Sequence, residues 1–247
     1  MPENTYASLP TKPCSIGSIV MRVVITRPEK KALHTYQRLK EMGLNPILMP
    51  LSYFTYDKKS VRRAFQESYA AIAITSNEAL TTLPPNINHQ KILFAVGKKS
   101  ALLAQKKGFS SIFHGTSNGI DLAQKIIDKK ELFTEKKPLI YLGGNPRSSV
   151  FEMSLIRNKI PLKTVNCYHT WNITYHLDDT KKFLKNSDVV LFYSKESVLR
   201  FFLLPLPPIS ARFLCLSARI AGAIPKPYQK MIAIANSPQE SSLLKLL

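Results

Sequence analysis

The chain has 247 residues, of which 45% are hydrophobic, and a formal net charge of +19. That is enough chain for two small domains, with no apolar run of transmembrane length and no basic-then-apolar leader. Three scattered cysteines (Cys14, Cys167, Cys215) and five histidines without ligand spacing predict no metal and no disulfide framework, and point to a reducing, cytoplasmic compartment.

Residues 1–20 are polar and carry three prolines, which predicts a disordered tail. Arg22 to Ile25 reads as the first strand, with Thr26-Arg27-Pro28 as its turn and Pro28 at the first helical position. The following helix places Leu33, Tyr36, Leu39 and Met42 at helical spacing and ends at Gly43. Pro46 to Phe54 reads as one long strand running into a linker. A short helix over 61–68 leads to Ala70–Ile74, a continuous apolar run that suits a strand buried on both faces. Thr75-Ser76-Asn77 breaks that run, with Asn77 as the expected N-cap of the next helix.

Ile92 to Val96 is the next strand. Gly97 follows it, and then comes a helix from Ser100 that Gly108 closes. A short strand over 110–113 and a helix from Ile120 follow. Leu139–Leu142 reads as a strand, Gly143-Gly144-Asn145-Pro146 as a tight turn, and Arg147 as the opening of a helix. Leu162 to Trp171 is extended and can pair with the earlier long strand. Then come a helix over 181–184, a strand over 189–193 with the turn Ser194-Lys195, and a strand over 212–216 before Ser217-Ala218-Arg219. The last strand is 231–235, and Ser237 reads as N-cap of the final helix, with Pro238 at N1 and Glu240 at N3.

Three strand-turn-helix units recur at nearly one offset. Ser76 and Ser194 stand 118 residues apart, Gly97 and Ser217 stand 120 apart, and Thr26 and Gly143 stand 117 apart. Two similar α/β halves explain this regularity. In open α/β sheets, ligands bind outside the carboxyl ends of strands, where these polar turns collect. The excess of lysine and arginine favours a polyanionic ligand. It comes as scattered pairs such as Lys58-Lys59 and Lys98-Lys99, without interleaved aromatics or a nucleic-acid-binding signature, so nucleic acid is not expected.

The order of these motifs resembles the uroporphyrinogen-III synthase family. The likeness is carried by Ile25-Thr26-Arg27-Pro28, Leu48-Met49-Pro50-Leu51, Ile74-Thr75-Ser76, Ala95-Val96-Gly97 with Ser100-Ala101, the segment around Tyr168, Phe192-Tyr193-Ser194 and Ser237-Pro238. The resemblance implies two flavodoxin-like parallel-sheet domains joined by a two-stranded connector. One would be discontinuous, 21–53 plus 172–247, and the other 54–171, with connector strands near 50–55 and 165–172. It also implies a lyase that closes hydroxymethylbilane, a linear tetrapyrrole with eight carboxylates, into uroporphyrinogen III. The reaction inverts the terminal ring and loses water, with no cofactor. A monomer is expected, with a transient contact to the preceding pathway enzyme and no membrane association.

On the same resemblance, Tyr168 is the candidate for assisting departure of the hydroxymethyl oxygen. Thr75, Ser76, Asn77, Gly97, Ser100, Gly144, Ser194, Lys195 and Ser217 are candidate substrate contacts, with Arg27, Arg147 and Arg219 as candidate carboxylate contacts. Their other reading is helix capping, which calls for the same residue types. The family's Gly-x-Thr-Thr-Ala turn reads Ser217-Ala218-Arg219-Ile220-Ala221 here, so the hydroxyl pair is replaced and an arginine added. An inactive two-lobed module binding an anionic ligand is the competing reading. A flavodoxin-like redox protein ranks below both, because Pro28 occupies the turn where a phosphate loop would lie.

Overall fold

The computed structural model describes residues 20–116, 118–186 and 188–247. The tail expected over 1–20 lies outside the described residues except for Val20, and so does Cys14. The described strands, in chain order, are β1 Arg22–Ile25, β2 Asn45–Leu48, β3 Ser52–Tyr56, β4 Ala71–Ile74, β5 Ile92–Ala95, β6 Ile112–His114, β7 Leu139–Asn145, β8 Leu162–Asn172, β9 Val189–Phe192, β10 Arg212–Cys215 and β11 Ile232–Ile234. The chain divides into two compact units. The first runs to Pro50 and resumes over Tyr175–Leu247, and the second is Leu51–Thr174.

The first unit carries a parallel sheet in the order β11-β10-β9-β1-β2. Its strands are short apolar runs because both faces are covered. Val23, Ile25, Val189, Leu191 and Leu214 pack with Leu39, Leu243 and Leu244. Phe192, Phe201 and Phe213 form an aromatic cluster with ring centroids 5.3 to 6.2 Å apart. Numbered within the unit, the strand order is 2-1-3-4-5, the flavodoxin order.

The second unit has a six-stranded sheet, β3-β8-β7-β4-β5-β6, in which only the β3–β8 pairing is antiparallel. Alternate residues of each strand serve opposite cores. Ile72, Ile74, Leu93, Ala95, Ile140 and Leu142 pack with Ala101 and Ala104. Ala71, Ala73, Phe94, Leu139 and Tyr141 pack with Leu122, Ile126, Phe151 and Leu155. Its five parallel strands repeat the order of the first unit, but the chain enters at the third position and reaches the first two last. That permutation accounts for the sequence offsets: β4 corresponds to β9, β5 to β10 and β7 to β1.

Several boundaries differ from the sequence reading. The long strand over 46–54 is two strands in different sheets, separated at Met49–Leu51. Gly143, Gly144 and Asn145 continue β7 instead of turning, because β8 pairs alongside them as far as Asn145↔His169, and the helix begins only at Val150. Pro28 precedes its helix with ψ 143°, and its carbonyl accepts from Lys31 N and Ala32 N at 2.9 and 3.0 Å. Ala32, Thr35 and Leu39 form that helix's buried face, while Leu33 and Met42 are exposed. The next helix is Lys58–Ala64, started by Asp57, whose carboxylate accepts from Ser60 N at 2.8 Å. The helix expected over 181–184 is Leu177–Phe183.

Three cap assignments sharpen or change. Ser76, not Asn77, caps the 3-10 turn Asn77–Thr81, accepting from Glu78 N at 3.3 Å. Ser194 caps the helix Lys195–Phe202, accepting from Ser197 N at 3.1 Å. Ser237 does not cap the final helix. That helix is Glu240–Leu244, and its Glu240 side chain turns instead to arginine and hydroxyl partners. Ser194→Ala should lower the unfolding free energy by about 1 kcal/mol, read from the urea midpoint at unchanged slope.

Candidate active site

In the first unit, β1 leads through Glu29–Glu41 to β2 on one side, and β9 leads through Lys195–Phe202 to β10 on the other. β1 and β9 are neighbours whose chains leave in opposite directions. Outside their carboxyl ends lies the topological switch point, where such sheets bind ligands. Thr26, Arg27, Ser194 and Lys195 flank it. In the second unit the same point lies between β7 and β4, flanked by Gly144, Arg147, Thr75, Ser76 and Asn77. Gly97 and Ser100 follow β5, and Ser217 and Arg219 follow β10, one strand further along in each sheet. The candidate residues therefore fall into two groups, one in each unit, each on its own strand-end edge.

Tyr168 is seated by a backbone irregularity. β7 and β8 pair in register up to Gly143↔Asn166 and then shift to Gly144↔Tyr168, leaving Cys167 as the extra residue of a bulge. Cys167 turns inward, fully buried, and its thiol donates to the Gly143 carbonyl at 3.4 Å. Burial pushes that thiol up to about 11. Tyr168 lies across Gly144 so closely that a Cβ there would overlap ring atoms Cζ and Cε2 and the phenol oxygen. Phe54 meets the ring edge-on at 5.7 Å between centroids. Burial raises the phenol's pKa, and a hydrogen bond with Ser76 works the other way. At neutral pH the group is a protonated donor.

Around it, the Thr75 hydroxyl shares a hydrogen bond of 2.8 Å with the Tyr141 phenol. The Asn77 side-chain oxygen is buried without a hydrogen-bond partner. Each nitrogen of the Arg147 guanidinium is engaged. Its Nε and Nη2 donate to the two Glu152 oxygens at 2.7 and 2.9 Å, and Nη1 donates to the Gly144 carbonyl at 3.0 Å and to Asn166 Oδ1 at 2.6 Å. The hydrogen bonds from Arg147 hold the Glu152 carboxyl below the usual carboxylate range. Arg147 thus braces the β7 end and the bulge. Ser100 is buried, while Lys98 and Lys99 beside it are exposed.

Arg27 is similarly held. Its Nη1 donates to Glu240 Oε1 at 2.7 Å and to the Thr35 hydroxyl at 3.1 Å, and its guanidinium lies 4.0 Å above the Tyr193 ring. Ser194, Lys195 and Arg219 are exposed, and Ser217 is half-buried at the start of the Ala218–Ala221 helix, making no side-chain cap bond. The sequence reading missed the acidic partners: Glu152 and Glu240 had no signal beyond helix placement. A hollow of about 570 Å3, lined by Arg62, Phe65, Tyr69, Asn86 and Lys91 among others, includes none of the candidate residues. Tyr69 and Lys91 place it at the amino-terminal ends of β4 and β5. Among the described residues no three His, Cys, Asp or Glu side chains gather as a metal site, and no helix is long and apolar enough to cross a membrane.

Two flavodoxin-order sheets with polar turns at both switch points, and a half-buried phenol seated against a glycine, define a paired α/β protein. The family model HEM4, uroporphyrinogen-III synthase HemD, matches residues 34–245. The chain belongs to the uroporphyrinogen-III synthase family, the cyclising hydro-lyases that convert hydroxymethylbilane into uroporphyrinogen III. Among solved structures, uroporphyrinogen-III synthetase from Helicobacter pylori superposes with a TM-score of 0.61 at 16% identity, over 92% of this chain and 98% of that one. A mutant uroporphyrinogen III synthase from Thermus thermophilus superposes with a TM-score of 0.56 at 11% identity, over 92% and 96%. At those identities the likeness shows the shared fold. No curated protein sequence matches the chain significantly.

Proposed function

We propose that the chain acts as a cytoplasmic monomer that binds hydroxymethylbilane on its strand-end turns, with Tyr168 assisting loss of the hydroxymethyl oxygen. The observation that carries the catalytic assignment is the phenol's seat on Gly144. As the hydroxymethyl C–O bond breaks, the departing oxygen gains a proton and leaves as water. A protonated phenol there can supply that hydrogen bond or proton. The chain then closes onto the free end with the terminal ring inverted, and the protein's task is to hold the reactive intermediate in the productive shape.

Charge at the helix starts supports the polycarboxylate reading. A helix amino-terminus carries partial positive charge, and cations there cost about 0.3–1 kcal/mol each. Yet Lys98 and Lys99 begin the helix after β5, and Arg219 stands in the helix after β10, with no acid in either first turn. Eight carboxylates arriving at these turns reverse that cost. Thr75, Ser76, Asn77, Gly97, Ser100 and Gly144 in one unit, and Ser194, Lys195, Ser217 and Arg219 in the other, serve as the contact set. Arg27 and Arg147 shape these turns through Glu240 and Glu152. A transient contact with the enzyme that supplies the unstable substrate fits the same reading.

The test is a coupled assay in which freshly generated hydroxymethylbilane is converted and the oxidised products are separated as type I and type III isomers. Predominant type III establishes the reaction, whereas type I alone, the spontaneous product, would overturn it. Tyr168→Phe should lower kcat by about 100-fold with KM nearly unchanged, and unchanged kcat would remove the phenol from the chemistry.

A further inference from the structure

We propose that Tyr56 and Glu78 are positioning residues for the Tyr168 phenol, with Glu78 anchoring Tyr56 across the ladder. The inference rests on the reading of Tyr168 as the group that assists departure. Tyr56 is the last residue of β3 and stands directly opposite Tyr168 in the antiparallel pairing with β8. Opposed residues of such a pair project to the same face with their Cβ atoms about 5 Å apart. Phe54, two residues earlier on that face, supplies the ring that meets Tyr168 edge-on. Tyr53, Thr55 and Trp171 mark the other face; the first and last are exposed, and the Trp171 indole donates to the Thr55 hydroxyl at 2.9 Å.

The anchor comes from the turn after β4. The Tyr56 hydroxyl donates to Glu78 Oε2 at 2.7 Å, and Glu78 is only 7% exposed. Two residues earlier in the same turn, Ser76 acts on the Tyr168 phenol, lowering its pKa against the effect of burial. One short turn therefore anchors Tyr56 and acts electrostatically on Tyr168. Its geometry is fixed by its own bonds: Ser76 accepts from Glu78 N, and the Thr81 hydroxyl donates to the Glu78 carbonyl at 2.7 Å.

The electrostatics agree. Burial, followed by the Glu78 hydrogen bond, pushes the Tyr56 phenol up to about 12. The charged and titratable groups acting on Tyr168 are Cys167 and Glu78, which raise its pKa, and Arg147, which lowers it. Arg147 is neutralised by Glu152, and Cys167 is a buried, protonated thiol. Glu78 thus adds to the effect of burial in raising the Tyr168 pKa, as a like charge does.

Glu78→Gln and Tyr56→Phe are nearly isosteric, and urea unfolding of each variant reports whether the fold is retained. Two readouts separate positioning from simple packing. The first is kcat for type III product, which should fall about tenfold in each variant with KM within twofold, and should show no further fall when either change is combined with Tyr168→Phe. The second is titration of Tyr168, taken as the ultraviolet difference between each variant and the same variant carrying Tyr168→Phe. In Glu78→Gln its midpoint should drop. An equal kcat loss with and without Tyr168 would overturn the proposal, and so would an unmoved Tyr168 titration. If Tyr168→Phe alone kept full turnover, the catalytic reading would fail, and the titration would still decide whether Glu78 and Tyr56 govern the phenol.

Discussion

Gly144→Ala should lower turnover by about 100-fold, as much as removing the Tyr168 hydroxyl outright, in a protein that still folds. The glycine is not there for its backbone freedom: the glycines with positive φ among the described residues are Gly43 and Gly108. Only space argues for it. A Cβ at 144 would overlap Tyr168 Cζ, Cε2 and the phenol oxygen. The ring has two ways to respond. It can swing off the β7 backbone, losing the edge of Phe54, or β7 and β8 can part at the bulge, disturbing the Arg147 bonds to Gly144 and Asn166.

Overpacking of this kind costs about 1–3 kcal/mol, less than the stability of an ordinary domain. The expected result is therefore a folded protein with its phenol displaced. Isomer-resolved kinetics give the turnover, and urea unfolding gives the stability. Turnover near that of the unmodified chain would show that the seat is not required. Loss of folding would show that the glycine serves the sheet more than the phenol.

How much of this could be read beforehand follows from which signals are local. Ala70–Ile74 and its relative at Val189–Tyr193 could be read because a strand buried on both faces must be apolar throughout, and a helix start needs a small polar cap. Those requirements repeat at each unit of the offset. The turn around Gly143–Asn145 was misread because Gly-Gly-Asn-Pro has turn chemistry in isolation. Only the neighbouring β8, more than fifteen residues later, keeps it extended. The same holds for Glu240. Ser237-Pro238-Gln239-Glu240 satisfies a local capping pattern, but Arg27 and Thr35 from one distant segment and Tyr193 from another compete for the carboxylate and win. Charge alone could not reveal that Arg27 and Arg147 are paired, because acidic partners are scarce in so basic a chain.

The Glu240 cluster carries the largest stability prediction. Glu240 Oε1 accepts from Arg27 Nη1 at 2.7 Å, Thr35 Oγ1 at 2.6 Å and Tyr193 OH at 2.9 Å, and Oε2 accepts from Arg38 Nη1 at 3.2 Å. The Arg27 and Glu240 side chains are each 18% exposed. Arg27 Nε is buried without a hydrogen-bond partner, so its guanidinium already depends on this one carboxylate. Glu240→Ala would strand that charge and unpair the Tyr193 hydroxyl, and should lower the unfolding free energy by about 3 kcal/mol. Adding Arg27→Met should recover part of the loss, because the stranded charge goes too.

The pH dependence fixes the sign independently. Burial alone would raise the Glu240 carboxyl, but the Thr35 and Tyr193 hydrogen bonds, with Arg27 and Arg38, more than offset it and hold the pKa below the ordinary 4.5. A depressed folded pKa contributes stability that is complete above the unfolded value and disappears as pH falls through the folded one. The stability gap between the unmodified chain and Glu240→Gln should be constant near neutrality and narrow below about pH 4.5. Urea unfolding at several acidic pH values measures it. A gap that stayed constant into acid would mean that the carboxylate's charge is not what holds Arg27, leaving shape and neutral hydrogen bonding as the source of the cluster's stability.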